Sequence, residues 1–308
     1  KSFHLPTLTE ADMENLRHAA EYEVYGVMLP FVRGKQDLIN LRRALKQTGN
    51  EQIRIFAKIE NMDGVRQIDE LIPECDEIVI ARGDLGNAVP LWELPKIQKY
   101  LSRKCLEAGR PFMVVTQMLA SMENSPVPTR AEVSDIYNAV LDGASSVMVT
   151  GETASGKYPI EAVKTMSRIA LETEESLPVP PDFNLVNVTK PIAGVLAQSI
   201  VAATVKLPVK AIIFDTWSGR TGRYLAEFRP KVPIYAMCYN SHTMREMALT
   251  YDIYAYPFEI TGTKEGFVQN SLNILLEDGK ISKGDLVGFI GGSFNDELGA
   301  TYMEFKYV

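Results

Sequence analysis

The sequence predicts an α/β protein in two parts, five strand–helix repeats followed by a smaller α/β domain. Three observations carry this. Short runs rich in Val and Ile alternate with helical stretches at a spacing of roughly 30 residues. Each neighbouring pair of strands is separated by a single helix, which forces parallel pairing. Pro178, Pro180 and Pro181 then break the pattern with a stiff stretch. Residues 1–177 read as the first domain, 178–190 as a linker and 191–308 as the second domain.

The elements follow in order. Thr7-Leu8-Thr9-Glu10 reads as a capping box opening a helix to about residue 21. Strands are expected at 24–29, 53–59, 77–81, 112–115 and 146–149. Helices are expected at 36–48, 62–71 and 92–108. Thr129-Arg130-Ala131-Glu132 is a second capping box, opening a helix to about residue 142, and Pro159 suits the first position of another. Five strands do not close an eight-stranded barrel. Either the sheet is open and doubly wound, or three strands lie outside this sequence. In the second domain a helix is expected near 191–206 and strands near 210–215, 233–237, 253–257, 285–290 and 301–307.

Composition narrows the function. The chain of 308 residues is 46% hydrophobic and 23% charged, enough apolar material to bury a core in each part. A net charge of -7 argues against a nucleic-acid partner, which needs a basic face. No apolar run reaches the ~18 residues of a membrane helix, and the first residues carry no signal-peptide core. The cysteines, Cys75, Cys105 and Cys238, are odd in number and form no CxxC. That argues against a zinc site or a disulfide framework and fits a reducing, cytoplasmic compartment.

Four stretches could carry chemistry. In Lys58-Ile59-Glu60-Asn61, Lys58 and Glu60 share one face of a strand end. One repeat later comes Ala81-Arg82-Gly83-Asp84-Leu85-Gly86, read as a glycine-rich turn. Glu60 and Asp84 together suit a hard divalent cation such as Mg²⁺ or Mn²⁺, with open positions for substrate. A lysine beside that cation can stabilise growing negative charge. A surface Lys–Glu pair and a capped turn fit the pattern as well. Thr116 ends the next strand, where a hydroxyl can relay a proton or merely cap a turn. Gly151 to Lys157 matches most of a phosphate-binding loop, but Tyr158 stands where a Ser or Thr would ligate the metal. In the second domain Thr216-Trp217-Ser218-Gly219-Arg220-Thr221 joins a strand to a helix, and reads as an anion site or an ordinary capped loop. His4, His18 and His242 fit no metal or catalytic pattern.

Taken together and in order, these stretches resemble the pyruvate kinases. The matching residues are Phe31-Val32-Arg33, Ala57 to Asn61, Ile80 to Gly86, Thr116 to Met122, Pro128 to Glu132, Ala139 to Gly143 and Gly151 to Ala154. The resemblance implies a partial (β/α)₈ barrel, its strands four to eight, followed by a smaller α/β effector domain. It implies transfer of a phosphoryl group from phosphoenolpyruvate to ADP, giving pyruvate and ATP. It casts Lys58 as the lysine that stabilises the transferring phosphoryl group and the enolate, and Glu60 and Asp84 as Mg²⁺ ligands. Ala81, Arg82 and Gly83 become the cradle of the pyruvate carboxylate. Thr116 stands beside the enolate carbon, Arg130 at the contact between barrel domains of a tetramer. Thr216, Ser218, Gly219, Arg220 and Thr221 become the loop for the phosphate of a sugar-phosphate or nucleotide effector. K⁺ ligands, nucleotide-contacting arginines and a lid domain are expected upstream of Lys1, so this chain alone is expected to be a poor catalyst. The other reading is a non-catalytic relative that binds a metabolite or a partner subunit. Pro30, Val115, Thr150 and Trp217 depart from the usual family residues, and the acidic stretch 291–297 argues against a sugar bisphosphate.

Overall fold

The computed structural model describes residues 6–177, 191–292 and 299–308. They form two compact units that divide between Ser176 and Leu177. The expected linker, residues 178–190, lies outside the described residues.

The first unit runs α1 (Glu10–His18), β1 (Gly26–Leu29), α2 (Lys35–Gln47), β2 (Arg54–Ile59), α3 (Met62–Arg66), α4 (Ile68–Leu71), β3 (Glu77–Ala81) and α5 (Arg82–Ala88). It continues with α6 (Leu94–Glu107), β4 (Phe112–Val115), α7 (Arg130–Leu141), β5 (Ser146–Met148), α8 (Gly151–Ala154) and α9 (Pro159–Ser176). All five strands are parallel and lie in chain order, β1-β2-β3-β4-β5. A doubly wound sheet reverses its strand order, and this one does not. Right-handed crossovers in one direction put the connecting helices on one face, as in a barrel wall.

Burial follows the two-residue period of the strands. Ile55, Ala57, Ile59, Ile78, Ile80, Phe112 and Val114 point to the helices and join the large core. Phe56, Val79, Ala81, Met113 and Val115 point the other way and form a second, small cluster with Tyr25 and Met148. That second face is the inner face of a barrel arc. The five repeats are therefore a partial (β/α)₈ barrel.

Local chemistry moved two element boundaries. Thr9, not Thr7, caps α1: its hydroxyl accepts the Asp12 N–H at 3.2 Å and its own N–H donates to the Asp12 carboxylate at 2.7 Å. Thr7 instead donates to Asp37 Oδ1 at 2.7 Å. The expected helix over 62–71 breaks at Gln67, whose side-chain amide donates to the Arg33 carbonyl at 2.7 Å. The second capping box forms as expected, with Thr129 and Glu132 reciprocally bonded at the start of α7.

Two adjacent carboxylates at the start of β3 differ in their surroundings. Burial raises the Asp76 carboxyl, but the Ile55 N–H at 2.8 Å and the Arg54 and Arg42 guanidiniums outweigh it and hold it below its usual range. Glu77 faces the inner side and is 6% exposed. Burial pushes it up to about 7, against a single opposing hydrogen bond from the Ser146 hydroxyl at 3.2 Å.

The second unit holds α10 (Pro191–Lys206), β6 (Val209–Thr216), α11 (Arg220–Glu227), β7 (Ile234–Cys238), α12 (Ser241–Ala248), β8 (Ile253–Pro257), α13 (Lys264–Glu277), β9 (Leu286–Gly291) and β10 (Tyr302–Tyr307). Its sheet order is β10-β9-β6-β7-β8, parallel except for the antiparallel edge strand β10. Ile200, Leu225 and Met247 from α10, α11 and α12 pack on one face. Phe267, Leu272 and Leu275 from α13 pack on the other. Phe258, Phe267 and Phe289 meet edge to face at 5.9 and 5.8 Å there. This unit is doubly wound, and its order reverses between β6 and β9.

Two measurements check this packing. A carboxyl whose folded pKa is raised binds its proton more tightly folded than unfolded. Its destabilisation is absent below the unfolded value of 4.5 and grows as pH rises to the folded value of about 7. Glu77→Gln is expected to remove this fall, worth at most about 3 kcal/mol, from the stability–pH curve measured by urea unfolding. Gly222 lies in α11 where an added Cβ would sit 2.6 Å from Phe214, 2.7 Å from Met247 and 2.9 Å from Ile253. Gly222→Ala gains about 1 kcal/mol of helix propensity and loses about 1–3 to overpacking, so a lower unfolding midpoint is expected.

Candidate active site at the rim of the strand arc

Parallel register sets the site. Ile59 pairs with Ile80, Ala81 with Val115, and Val115 with Met148. The residues that follow these pairs, Glu60, Arg82, Thr116 and Val149, therefore leave their strands at one rim, the C-terminal one.

Lys58 and Glu60 meet as their alternation predicts. Lys58 Nζ lies 2.8 Å from Glu60 Oε1. The Glu60 side chain is only 2% exposed, that of Lys58 24%. The other Glu60 oxygen accepts the Phe31 N–H at 2.7 Å. Phe31 has a left-handed φ of 50° directly after Pro30, so the turn that Pro30 enters delivers a backbone donor to the carboxylate. The buried charge of Glu60 is thus compensated twice.

The stretch expected as a glycine-rich turn is instead helix α5, capped by Ala81. Asp84 lies in its first turn and is exposed, a favourable place for a carboxylate next to the helix N-terminus. Leu85 buries fully and anchors the helix despite Gly83 and Gly86. The Gly83 N–H donates to the Thr116 hydroxyl at 2.7 Å, and that hydroxyl donates to the Val115 carbonyl at 2.5 Å. Gly83 and Thr116 are therefore in direct contact across neighbouring strand ends.

Thr116 and Gln117 both take left-handed backbone, φ 74° and 55°. For a β-branched residue this is a strained state, of order 1–3 kcal/mol. Sequence reading missed what surrounds it. Arg82, 7% exposed, turns its side chain away from the rim and beneath this turn. One arm of its guanidinium lies 2.6 Å from the Asp135 carboxylate on α7, and the other donates to the Thr116 carbonyl at 2.9 Å. Glu152, 1% exposed, accepts the Leu119 N–H at 2.9 Å and the Thr150 N–H at 2.8 Å. Glu152 ties the loop after β4 to the turn after β5. The available signal was chemical: charged residues in apolar surroundings require partners.

The remaining candidates fall as follows. Gly151–Ala154 is a short helix, and the N–H groups of Ala154, Ser155 and Gly156 bond to carbonyls of Thr150 and Gly151. They do not encircle an anion, so the phosphate-loop reading is dropped. Arg130 is the exposed first residue of α7. In the second unit the Thr216 hydroxyl accepts the N–H of Gly219 at 2.8 Å and of Ser218 at 3.3 Å. Gly219 supplies a left-handed turn, φ 69°, before Arg220 and Thr221 open α11. Trp217 is half exposed and stacks on Tyr239 at 4.9 Å between ring centres. The stretch 293–298 lies outside the described residues.

Among the described residues no group of three or more His, Cys, Asp or Glu side chains forms a metal cage. Glu60 and Asp84 offer oxygen alone, without imidazole or sulfur. Two carboxylates with the remaining places left to water and substrate are donor chemistry of the kind a hard divalent cation takes. No described helix is long and apolar enough to cross a membrane.

Comparison with known proteins places the chain. The pyruvate kinase barrel-domain family model matches residues 1–163, and the pyruvate kinase alpha/beta-domain model matches residues 195–303. The chain is 38% identical to a pyruvate kinase of Clostridium acetobutylicum over 306 residues, covering 98% of this chain and 64% of the relative. It is 39% identical to one of Geobacillus stearothermophilus over 302 residues, covering 97% of this chain and 51% of the relative. One of Bacillus licheniformis is 36% identical over 309 residues, covering 100% of this chain and 53% of the relative. The chain thus spans between half and two-thirds of the length of these relatives. With the strand order, the rim and both domain matches agreeing, the chain belongs to the pyruvate kinase family.

Proposed function

We propose that this chain supplies the magnesium and enolate half of a pyruvate kinase active site, for transfer of a phosphoryl group from phosphoenolpyruvate to ADP. The observation that carries the reading is the pairing of Lys58 with the buried Glu60, level with the Gly83–Thr116 contact on one strand rim. Glu60 and Asp84 would hold Mg²⁺ or Mn²⁺, which when bound neutralises charge on the phosphoryl and enolate oxygens. The Lys58 ammonium stabilises the same developing charge, in a site where Glu60 already aims it. The backbone of Ala81, Arg82 and Gly83 cradles the carboxylate. Thr116 stands beside the carbon that takes up a proton once the enolate is released. Its hydroxyl donates its proton in a hydrogen bond to the Val115 carbonyl, so a relay role requires that bond to open.

K⁺ and the nucleotide would be held by residues outside this chain. Arg130, exposed on α7, would serve the barrel–barrel contact of a cytoplasmic homo-oligomer. In the second unit the reversal of strand order between β6 and β9 supports a ligand position at the Thr216–Thr221 loop. Ser218, Arg220 and Thr221 would take the phosphate of a sugar-phosphate or nucleotide effector there. Thr216 and Gly219 would shape the loop.

Mn²⁺ binding to this chain, with and without oxalate as an enolate mimic, tests the site. Oxalate is expected to strengthen Mn²⁺ binding. Asp84→Ala is expected to weaken it at least tenfold with an unchanged circular dichroism spectrum. A folded wild-type chain whose Mn²⁺ affinity ignores oxalate would contradict the reading.

A further inference from the structure

We infer that Arg82 is a positioning residue whose buried guanidinium holds the Thr116–Gln117 turn in its left-handed backbone and so sets the Thr116 hydroxyl at the rim. The sequence around this turn offers no reason for its shape. Two consecutive residues have φ of 74° and 55°, and neither is a glycine. Such a state persists only where the surroundings over-determine it.

Three side chains hold the turn, those of Thr116, Glu152 and Arg82. The Thr116 hydroxyl bonds to Gly83 N–H and to the Val115 carbonyl. Glu152 accepts the Leu119 N–H two residues beyond Gln117. Among the described residues Arg82 alone grips the carbonyl of Thr116 itself, at 2.9 Å, and that carbonyl belongs to the peptide plane joining the two strained residues. Turning either residue to a relaxed φ swings this carbonyl away from the guanidinium. The same nitrogen lies 2.8 Å from Met118 Sδ, so the turn is held on both sides of Gln117.

The rest of the guanidinium shows how the arm is aimed. Its other arm lies 2.6 Å from Asp135, and the Gln98 side-chain oxygen lies at 3.4 Å. Among the described residues its Nε has no partner. A buried cation with a donor left unused is not arranged for its own solvation. The geometry satisfies Asp135 and Thr116 together. A rigid planar fork can do that across two elements, whereas a lysine has one point of charge. The inference deepens the proposed reaction, because Thr116 matters to it only if the enolate site lies at this rim.

The test reads the Gly83 amide, whose proton is held by the Thr116 hydroxyl. In hydrogen exchange by NMR on the full chain, Arg82→Met is expected to speed Gly83 exchange at least tenfold. The amide of Ile78 in β3, bonded to the Pro111 carbonyl, should keep its rate. Gln117→Gly removes the left-handed penalty at its position. It should be silent alone and restore Gly83 protection in the Arg82→Met background. Arg82→Lys should give a partial loss and serves as the comparison if Arg82→Met does not fold. Unchanged Gly83 protection in a folded Arg82 variant overturns the inference, as does a loss that Gln117→Gly fails to restore. Oxalate-enhanced Mn²⁺ binding should fall and recover with the Gly83 amide. If the amide behaves as expected while the wild-type chain shows no oxalate enhancement, the strut stands and the proposed function falls.

Discussion

Parallel pairing in the first unit is the constraint on which the rest depends. A strand that must run parallel to its neighbour has to return through a helix, so each repeat begins and ends at the same two levels. The register then leaves little freedom: Glu60, Arg82 and Thr116 arrive at one rim because Ile59, Ala81 and Val115 are already paired. The chemistry of the site is assembled by backbone hydrogen bonds whose partners are mostly Val, Ile and Ala. Their apolar side chains fix where function can be.

The charged groups of this unit divide by how completely they are answered. Glu60 has an ammonium and a backbone N–H, Asp76 has a backbone N–H and two guanidiniums, and Arg82 has a carboxylate and a carbonyl. Each joins two elements that the chain itself leaves apart. Glu77 has one weak donor from Ser146 and behaves differently, holding its proton close to neutrality. The contrast between adjacent residues 76 and 77 lies in which face of β3 each reaches, the arginine-lined edge or the apolar interior of the arc.

Much of the strand framework was legible because it rests on a two-residue period and on β-branched runs, and strand ends fell within two residues of expectation. Lys58 and Glu60 could be placed together for the same reason. Helix α5 was not legible, since Gly83 and Gly86 lower helix propensity and its support comes from the burial of Leu85. Thr9 displaced Thr7 as a cap because Asp37, thirty residues away, claims the Thr7 hydroxyl. The orientation of the Arg82 side chain was hidden in the same way. Its backbone lies in a stretch that reads as a ligand cradle, while its partner Asp135 lies 53 residues further along. Sequence order conveys periodicity well and pairing over such distances poorly.

The two sheets also differ in when their edges can close. In the first unit each strand pairs with the one made just before it, so the arc can grow in the order in which a ribosome delivers it, through contacts of short sequence separation. In the second unit β6 pairs with β7 at once, but its other neighbour is β9, which emerges some seventy residues later. Until then the central strand of that sheet carries an open, apolar edge flanked by Ile212, Ile213 and Phe214. The open edge of β6 therefore exposes the nascent second unit to mispairing during synthesis until β9 arrives.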